Sequence, residues 1–269
     1  MNLNAYFQRI AYSGPEEASL HVLQQLHHLH PLAICFENLD ALLTGSVDIT
    51  SEAVFEKLVN KGRGGYCFEH NRLFSDVLRS LGFDVSEHAA RVVWRSLDKT
   101  RMARTHMLLK IMIGDIPWIA DVGFGGLTMT GPLMLEPGKT QDSPHEQFRI
   151  EQQGDEYTIS VLLNGKWKAM YIFDLVPQYP VDYEMANHFV SSHPQSLFTT
   201  NLMLGRADER VRHAMHNRTY TRYTLSGDKE QREITDVEEL KSLLHNTFQI
   251  SSGAEINREL LAEKFANLA

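Results

Sequence analysis

Residues 62–71 read Gly-Arg-Gly-Gly-Tyr-Cys-Phe-Glu-His-Asn and place a cysteine directly after a glycine-rich segment. This cysteine, Cys67, opens an apolar pattern with helical spacing, made by Phe74, Val77, Leu78 and Leu81. We therefore predict that the thiol lies in the first turn of a helix, where free backbone amides and the helix dipole favour a thiolate. The stretch alone fits a nucleophilic cysteine and a buried structural cysteine after an ordinary turn equally well.

A nucleophilic cysteine needs a base and a group that orients the base. Residues 105–113 and 116–122 are apolar segments separated by Gly-Asp, which predicts a β-hairpin with a two-residue loop. In that register His106 and Asp121 lie diagonally on one face of the hairpin. Each residue taken alone is better explained as a buried structural group. Together with Cys67, they provide three residue types with the roles that nucleophilic catalysis requires.

Four segments of the chain resemble motifs of the arylamine N-acetyltransferase family, in particular its bacterial members, which include N-hydroxyarylamine O-acetyltransferases. They are Arg-Gly-Gly-Tyr-Cys-Phe-Glu-His-Asn at 63–71, Thr-His at 105–106, Ile-Ala-Asp-Val-Gly-Phe-Gly-Gly at 119–126 and Phe-Glu-Asn-Leu at 36–39. The pattern Arg-Gly-Gly-x-Cys-x-Glu-x-Asn is highly specific, and the resemblance covers nearly the whole chain in length and motif order.

The resemblance implies that Cys67, His106 and Asp121 match the family's Cys-His-Asp triad. It implies a ping-pong reaction in which acetyl-coenzyme A acylates the cysteine and coenzyme A leaves. An arylamine or arylhydrazine nitrogen, or the oxygen of an N-hydroxyarylamine, then takes the acetyl group. Acetyl-coenzyme A is expected as a co-substrate, with no permanently bound cofactor and no metal.

The resemblance also implies roles for residues around the triad. The expected substrate-binding residues are Phe36, Tyr66, Val93 and Phe124. The expected coenzyme A contacts are Thr105, Gly125 and Gly126. Glu37 and Arg63 match a structural ion pair beneath the active-site loop, and Cys35 stands where the family usually has proline.

Three other interpretations remain open at this point. A cysteine hydrolase or transglutaminase shares the chain order Cys, His, Asp and the same triad chemistry. An amide synthase that uses a tethered acyl group is the nearest relative by motif. A catalytically silent binding protein is a different class, and the presence of all three triad residues speaks against it.

Composition restricts the kind of partner and compartment. The 269 residues carry 26 basic and 34 acidic side chains, and the net charge of −8 argues against a nucleic-acid partner. Two cysteines are too few for a disulfide scaffold and fit a reducing cytoplasm. No segment has the apolar length of a membrane span. We expect a soluble cytoplasmic protein that is a monomer or a weak homodimer.

The change from helical to strand period along the chain predicts an α+β fold, and the resemblance implies a cysteine-protease-like Cys-His-Asp core. We expect an N-terminal helical bundle over residues 1–84 that carries the nucleophile. A central antiparallel β-barrel over 85–185 should carry the histidine and the aspartate, with Asn-Gly at 164–165 as a hairpin turn. Residues 186–269 should form an α/β lid, against which the resemblance implies that coenzyme A packs.

The second predicted helix is rich in histidine. Ser13 and Glu16 are expected to form its capping box, and Pro31 is expected to end it. Its histidines are His21, His27, His28 and His30. Their positions lack the tight ligand pattern of a zinc site, so we expect them on a solvated face.

Overall fold

The computed structural model describes residues 1–94, 96, 102–251 and 255–268. The first part of this structure is helical, with one short strand. Its elements are α1 (Leu3–Arg9), α2 (Leu20–Ala33), β1 (Phe36–Glu37), α3 (Leu39–Thr44), α4 (Ser51–Phe55), a π-helical turn (Glu56–Asn60) and α5 (Cys67–Ser80). Helix α5 begins at Cys67, as the apolar spacing predicts.

Both predicted ends of α2 were wrong. The helix is capped by Ser19, whose side chain accepts from the amide of Val22, and Pro31 lies inside it. The preceding segment forms a turn in which the Tyr12 hydroxyl donates to the carbonyl of Pro15, so the Ser13 signal is not used as a cap. The last turn continues past the proline because the amide of Ile34 donates to the carbonyl of His30 at 2.8 Å.

The expectation of a solvated histidine face was also wrong for two of the four histidines. His27 and His30 are completely buried, whereas His21 is exposed. Buried polar groups need hydrogen-bond partners, and both imidazoles find one. His30 bonds Tyr6 and His70, and His27 accepts from a backbone amide.

The central part of the structure is an antiparallel sheet of eight strands. Its strands are β2 (Asp84–Val92), β3 (Arg104–Ile113), β4 (Ile116–Ala120), β5 (Leu133–Met134), β6 (Thr140–Asp142), β7 (Gln147–Gln153), β8 (Glu156–Leu163) and β9 (Lys166–Pro177). They follow the order β5-β4-β3-β2-β9-β8-β7-β6. The sheet curls until its two edges meet, and the side chain of Gln141 in β6 bonds both the amide and the carbonyl of Met134 in β5. The Gln141 side chain thus links the two edge strands, and the sheet forms a nearly closed barrel.

The hairpin of β3 and β4 has the predicted register. Ile113 faces Ile116 across the Gly-Asp loop, and Leu109 faces Ala120. Alternate residues of β3 enter different cores, since Leu108 packs inside the barrel and Leu109 packs against the helices. Strand β3 is therefore buried on both faces, and it joins the barrel to the helical part.

The last part of the structure consists of helices and a second antiparallel sheet. Its elements are α6 (Pro180–Ser192), α7 (Leu197–Thr200), β10 (Met203–Ala207), β11 (Val211–His216), β12 (Thr219–Thr224), β13 (Lys229–Glu233), α8 (Val237–Asn246) and α9 (Arg258–Ala266). Strand β1 joins this sheet, in the order β1-β10-β11-β12-β13. Helix α6 runs across position 185/186, at which the expected lid begins. The division into three regions stays a proposal.

Candidate active site

Cys67 lies at the first position of α5, with 5% of its surface exposed. The helix start is fixed by Glu69, whose carboxylate accepts from the amide of Tyr66 at 2.9 Å. The Cys67 sulfur lies 3.7 Å from the carbonyl oxygen of Thr105 at the start of β3. A Cβ atom at Gly123 would come within 2.9 Å of the Cys67 Cα, so glycine allows that loop to pack directly on the cysteine.

His106 hydrogen-bonds Asp121 and interacts electrostatically with Cys67. Its Nε2 lies 2.7 Å from Oδ2 of Asp121, and Cys67 is among the groups that raise the pKa of the ring. Burial opposes a charged imidazole, but the charge and hydrogen bond of Asp121, together with the contact to Cys67, raise the pKa of His106 to about 10. The raised pKa favours the imidazolium form of the ring beside the Asp121 carboxylate.

The other carboxylate oxygen of Asp121 is also occupied. Its Oδ1 accepts from the side-chain amide of Asn71 and from the backbone amide of Gly123, each at 2.9 Å. Burial would raise the pKa of Asp121, but the His106 charge and these hydrogen bonds lower it. The buried carboxylate is thus kept charged, as a partner for the imidazolium.

Asn71 is the last residue of the motif at 63–71, but the sequence alone predicts no role for it. It lies one helical turn after Cys67, and its side chain also bonds the carbonyl of Met107 and the amide of Val122. The signal that points to it is its spacing, because residues four apart share one face of a helix. Asn71 ties α5 to β3 and to the segment that follows β4.

Two aromatic rings enclose His106. Phe124 meets the imidazole edge-on at 5.5 Å between ring centroids, and Tyr171 of β9 lies 5.0 Å away. Phe124 is partly exposed, and Tyr171 is completely buried. Tyr171 lies within the predicted β-barrel region, and nothing in its local sequence sets it apart as a site residue. Together the rings make the surroundings of the imidazole apolar.

The other expected pocket residues lie in different environments. Phe36 stacks on His70 with an interplanar angle of 2° and lies beneath Gly125. Val93 is buried, and its amide donates to the carbonyl of Met170. Tyr66 is completely buried, with its hydroxyl bonded to Asn187 of α6. The Tyr66 ring is therefore part of the buried core, whereas the Phe124 ring is partly exposed.

The expected coenzyme A contacts lie at the start of β3 and in the loop after Asp121. Gly125 has a positive φ of 102°, and its amide donates to the Thr128 hydroxyl at 2.8 Å. A Cβ atom at Gly205 of β10 would come within 2.8 Å of the Gly126 nitrogen. Glycine at 205 therefore lets the two backbone segments approach without a side chain between them. Thr105 contributes the carbonyl that faces the cysteine.

Glu37 and Arg63 form the expected buried ion pair. Arg63 Nε donates to Glu37 Oε1 at 2.8 Å, and its Nη2 also reaches Asp40. Lys57 bonds Asp40 and Glu69 at 2.6 Å each. Sequence reasoning missed the three additional members, Asp40, Lys57 and Glu69, because no local pattern pairs them. This network lies directly below the loop that leads to Cys67.

Within the described ranges, no three His, Cys, Asp or Glu residues are arranged to hold a metal ion. Cys35 and Cys67 are both free thiols. In the same part of the chain, no helix combines the length and the apolar character needed to cross a membrane.

Comparison with known proteins assigns the family. An N-acetyltransferase family matches residues 19–256. The chain is 36% identical to an arylamine N-acetyltransferase of Mycolicibacterium smegmatis over 97% of this chain and 96% of that protein. It is 38% identical to the arylamine N-acetyltransferase / N-hydroxyarylamine O-acetyltransferase of Salmonella typhimurium, over 91% and 88% of the two chains.

A solved structure gives the same answer for the fold. The arylamine N-acetyltransferase of Mycobacterium marinum in complex with CoA superposes with a TM-score of 0.93, at 36% identity and over 98% of each chain. The protein is therefore an acyltransferase of mixed α and β structure. It belongs to the arylamine N-acetyltransferase family, as the four sequence motifs predicted.

Proposed function

We propose that this enzyme transfers the acetyl group of acetyl-coenzyme A to the nitrogen of arylamines and arylhydrazines through an acetyl-Cys67 intermediate. The observation that carries the proposal is the position of His106, which bonds the buried Asp121 carboxylate and interacts electrostatically with the Cys67 side chain. The complex with CoA formed by the Mycobacterium marinum relative supports the choice of donor.

In the first half-reaction the Cys67 thiolate attacks the carbonyl carbon of the acetyl thioester. A new carbon–sulfur bond forms, and the negative charge moves to the carbonyl oxygen. Backbone amides near the start of α5 stabilise this oxyanion, a contribution of roughly 3 to 4 kcal/mol per donor. The intermediate collapses with cleavage of the bond to coenzyme A, whose sulfur takes the proton of the His106 imidazolium.

In the second half-reaction the arylamine nitrogen attacks the acetyl-cysteine. His106, now neutral, accepts the proton that the nitrogen loses, and the Cys67 thiolate leaves. The imidazolium and thiolate are restored, so no proton is gained or lost by the enzyme over the cycle. The hydroxyl oxygen of an N-hydroxyarylamine takes the acetyl group in the same way, which the name of the Salmonella typhimurium relative supports.

The pocket proposed for this reaction surrounds His106 and Cys67. Phe124 screens the acetyl-cysteine from water, and Phe36 and Val93 form the acceptor side. Tyr66 supports the pocket from behind through its buried ring. The segment around Thr105, Gly125 and Gly126 receives the pantetheine of coenzyme A. Two free cysteines fit a reducing cytoplasm, where we place a monomer or weak homodimer.

Mass spectrometry of the intact protein tests the proposal. Acetyl-coenzyme A should add a single acetyl group on Cys67, and an aminobenzoate added afterwards should remove it and appear as the acetylated amine. Cys67→Ala should abolish the adduct with the fold intact. Cys35→Ala is the matched control and should still be acetylated, because its thiol takes no part in the reaction.

The outcomes separate the remaining alternatives. Folded wild-type protein without an adduct contradicts acetyl-coenzyme A as donor and favours an amide synthase with a tethered acyl group or a hydrolase. An adduct that persists with amine contradicts the proposed acceptor. Turnover by Cys67→Ala contradicts the assignment of Cys67 as the nucleophile.

A further inference from the structure

The backbone amide of Asp121 has an unusual partner. The last residue of β4 is Ala120, which faces Leu109 of β3, so Asp121 lies one position beyond the paired strand. Its buried amide donates to Nε2 of His27 at 3.1 Å. Buried backbone amides require an acceptor. Here a side chain of α2, 94 residues earlier, provides that acceptor in place of a strand.

The orientation of the His27 ring is fixed by this contact. Because the amide donates, Nε2 carries no proton, and the proton of the neutral ring lies on Nδ1. Nδ1 is buried, and no acceptor among the described residues bonds it. A buried polar atom without a partner lowers stability. The ring nevertheless keeps this orientation, edge-on to Phe74 of α5 at 5.7 Å, with Nε2 directed at Asp121.

The main chain of Asp121 determines where its carboxylate lies. One carboxylate oxygen bonds His106, and the other bonds Asn71 and the amide of Gly123. A rotation of the backbone at this position would move both oxygens away from these donors. The contact from His27 opposes such a rotation, because it holds the backbone amide of Asp121 in place.

We propose that His27 is a positioning residue for acetyl transfer: its imidazole fixes the main chain of Asp121 and thereby the orientation of His106. The role is indirect, since His27 bonds neither the Cys67 sulfur nor the His106 ring. The inference rests on the proposed function of Cys67, His106 and Asp121.

Two substitutions at this position test the role. His27→Phe keeps an aromatic ring but removes the acceptor, and His27→Gln keeps an oxygen that can accept from the amide. At saturating acetyl-coenzyme A, His27→Phe should slow acetylation of Cys67 about ten- to a hundredfold, as for other small displacements of catalytic groups. The acetyl-coenzyme A concentration that gives half the maximal rate should change little. His27→Gln should recover most of the rate, and the exposed His21→Phe should behave as wild type.

Two results would overturn the proposal. One is folded His27→Phe with the wild-type acetylation rate. The other is His27→Gln as slow as His27→Phe, which would mean that packing of the ring and not its acceptor matters.

A measurement on the wild-type protein does not depend on either variant folding. Nitrogen-15 NMR of labelled protein should find the His27 proton on Nδ1 and a coupling through the hydrogen bond between Nε2 and the Asp121 amide. A proton on Nε2 would refute the proposal. Failure of the proposed function is distinguishable, because wild-type protein would then form no acetyl adduct while these NMR signals remained unchanged.

Discussion

Asp121 carries its charge at a position with no exposure to solvent. A buried carboxylate is tolerated only when it is paired and hydrogen-bonded. Here the two oxygens accept from His106, Asn71 and Gly123, so the residue is bonded through every part of its carboxylate. This arrangement keeps the imidazole in one orientation and makes its charged form stable.

Asp121→Asn should therefore remove activity without removing the fold. The amide has the shape of the carboxylate but no charge to stabilise the His106 imidazolium. We expect the rate of Cys67 acetylation to fall by about a thousandfold or more, as in comparable triads. Single-turnover kinetics would measure the loss, and circular dichroism would check the fold. A rate close to wild type would show that the charge of Asp121 is dispensable.

The interface of α1, α2 and α5 contains a directional chain of hydrogen bonds. His70 Nε2 bonds the carbonyl of Cys35 at 3.1 Å, and a carbonyl only accepts, so this nitrogen carries the proton. His70 Nδ1 must then accept from His30 Nε2, and His30 Nδ1 must accept from the Tyr6 hydroxyl, both at 2.9 Å. The chain requires a neutral His70, because a protonated Nδ1 of that ring could not accept from His30. Burial lowers the pKa of His70 to about 4. Burial also lowers the pKa of His30, and the positive charge that a protonated His70 would carry lowers it further.

These imidazoles should make the fold sensitive to acid. Since the pKa of His70 falls from its ordinary value of 6.5 to about 4 in the folded state, the unfolded state binds more protons in this interval. The free energy of unfolding should therefore decrease as the pH falls through this window. Urea unfolding at several pH values measures the slope. His30→Leu should be less stable at neutral pH yet show a smaller acid-dependent loss, and His21→Leu should keep the wild-type slope. If the wild type, His30→Leu and His21→Leu lost stability with falling pH at the same rate, the buried imidazoles would not be the source of the acid sensitivity.

Local pattern predicted some elements and missed others for a physical reason. The Gly-Asp loop fixed the register of β3 and β4, and hence the meeting of His106 with Asp121, because neighbouring strands are paired through a short turn. The helical period places His27 and His30 on the buried face of α2 with Leu23 and Leu26, so their burial was predictable but their hydrogen-bond partners were not. Their partners lie 94 and 40 residues away, so no local pattern identifies which groups the two rings bond.

Over the whole molecule, the charge network below Cys67 joins parts of the chain that are far apart in sequence. Glu37 lies in β1, which pairs with β10 of the C-terminal sheet, and its carboxylate bonds Arg63 in the loop before α5. It also accepts from the amide of Leu39 at 2.7 Å. The pair therefore connects the C-terminal sheet, the nucleophile loop and α3.

Removing one partner of this pair should destabilise the entire fold. Glu37→Ala leaves the buried Arg63 with only part of its compensation, and such losses amount to about 3–5 kcal/mol. Urea denaturation would measure the decrease in the free energy of unfolding. Glu136→Ala is the matched control, because its ion pair with Lys139 is exposed and contributes at most about 1 kcal/mol. Equal stability of both variants would contradict a structural role for Glu37.

The two-residue strand β1 has a consequence for how such enzymes can be recombined. Phe36 is bridged to Gly65 in front of the cysteine, and across its other edge it pairs with Gly205 of β10. A chimaera that takes its first 185 residues from one relative and its remainder from another would divide this strand's partners between two parents. Chimaeras that fold should instead take β1, the segment around Gly65 and β10 from the same parent, although these segments are far apart in the sequence.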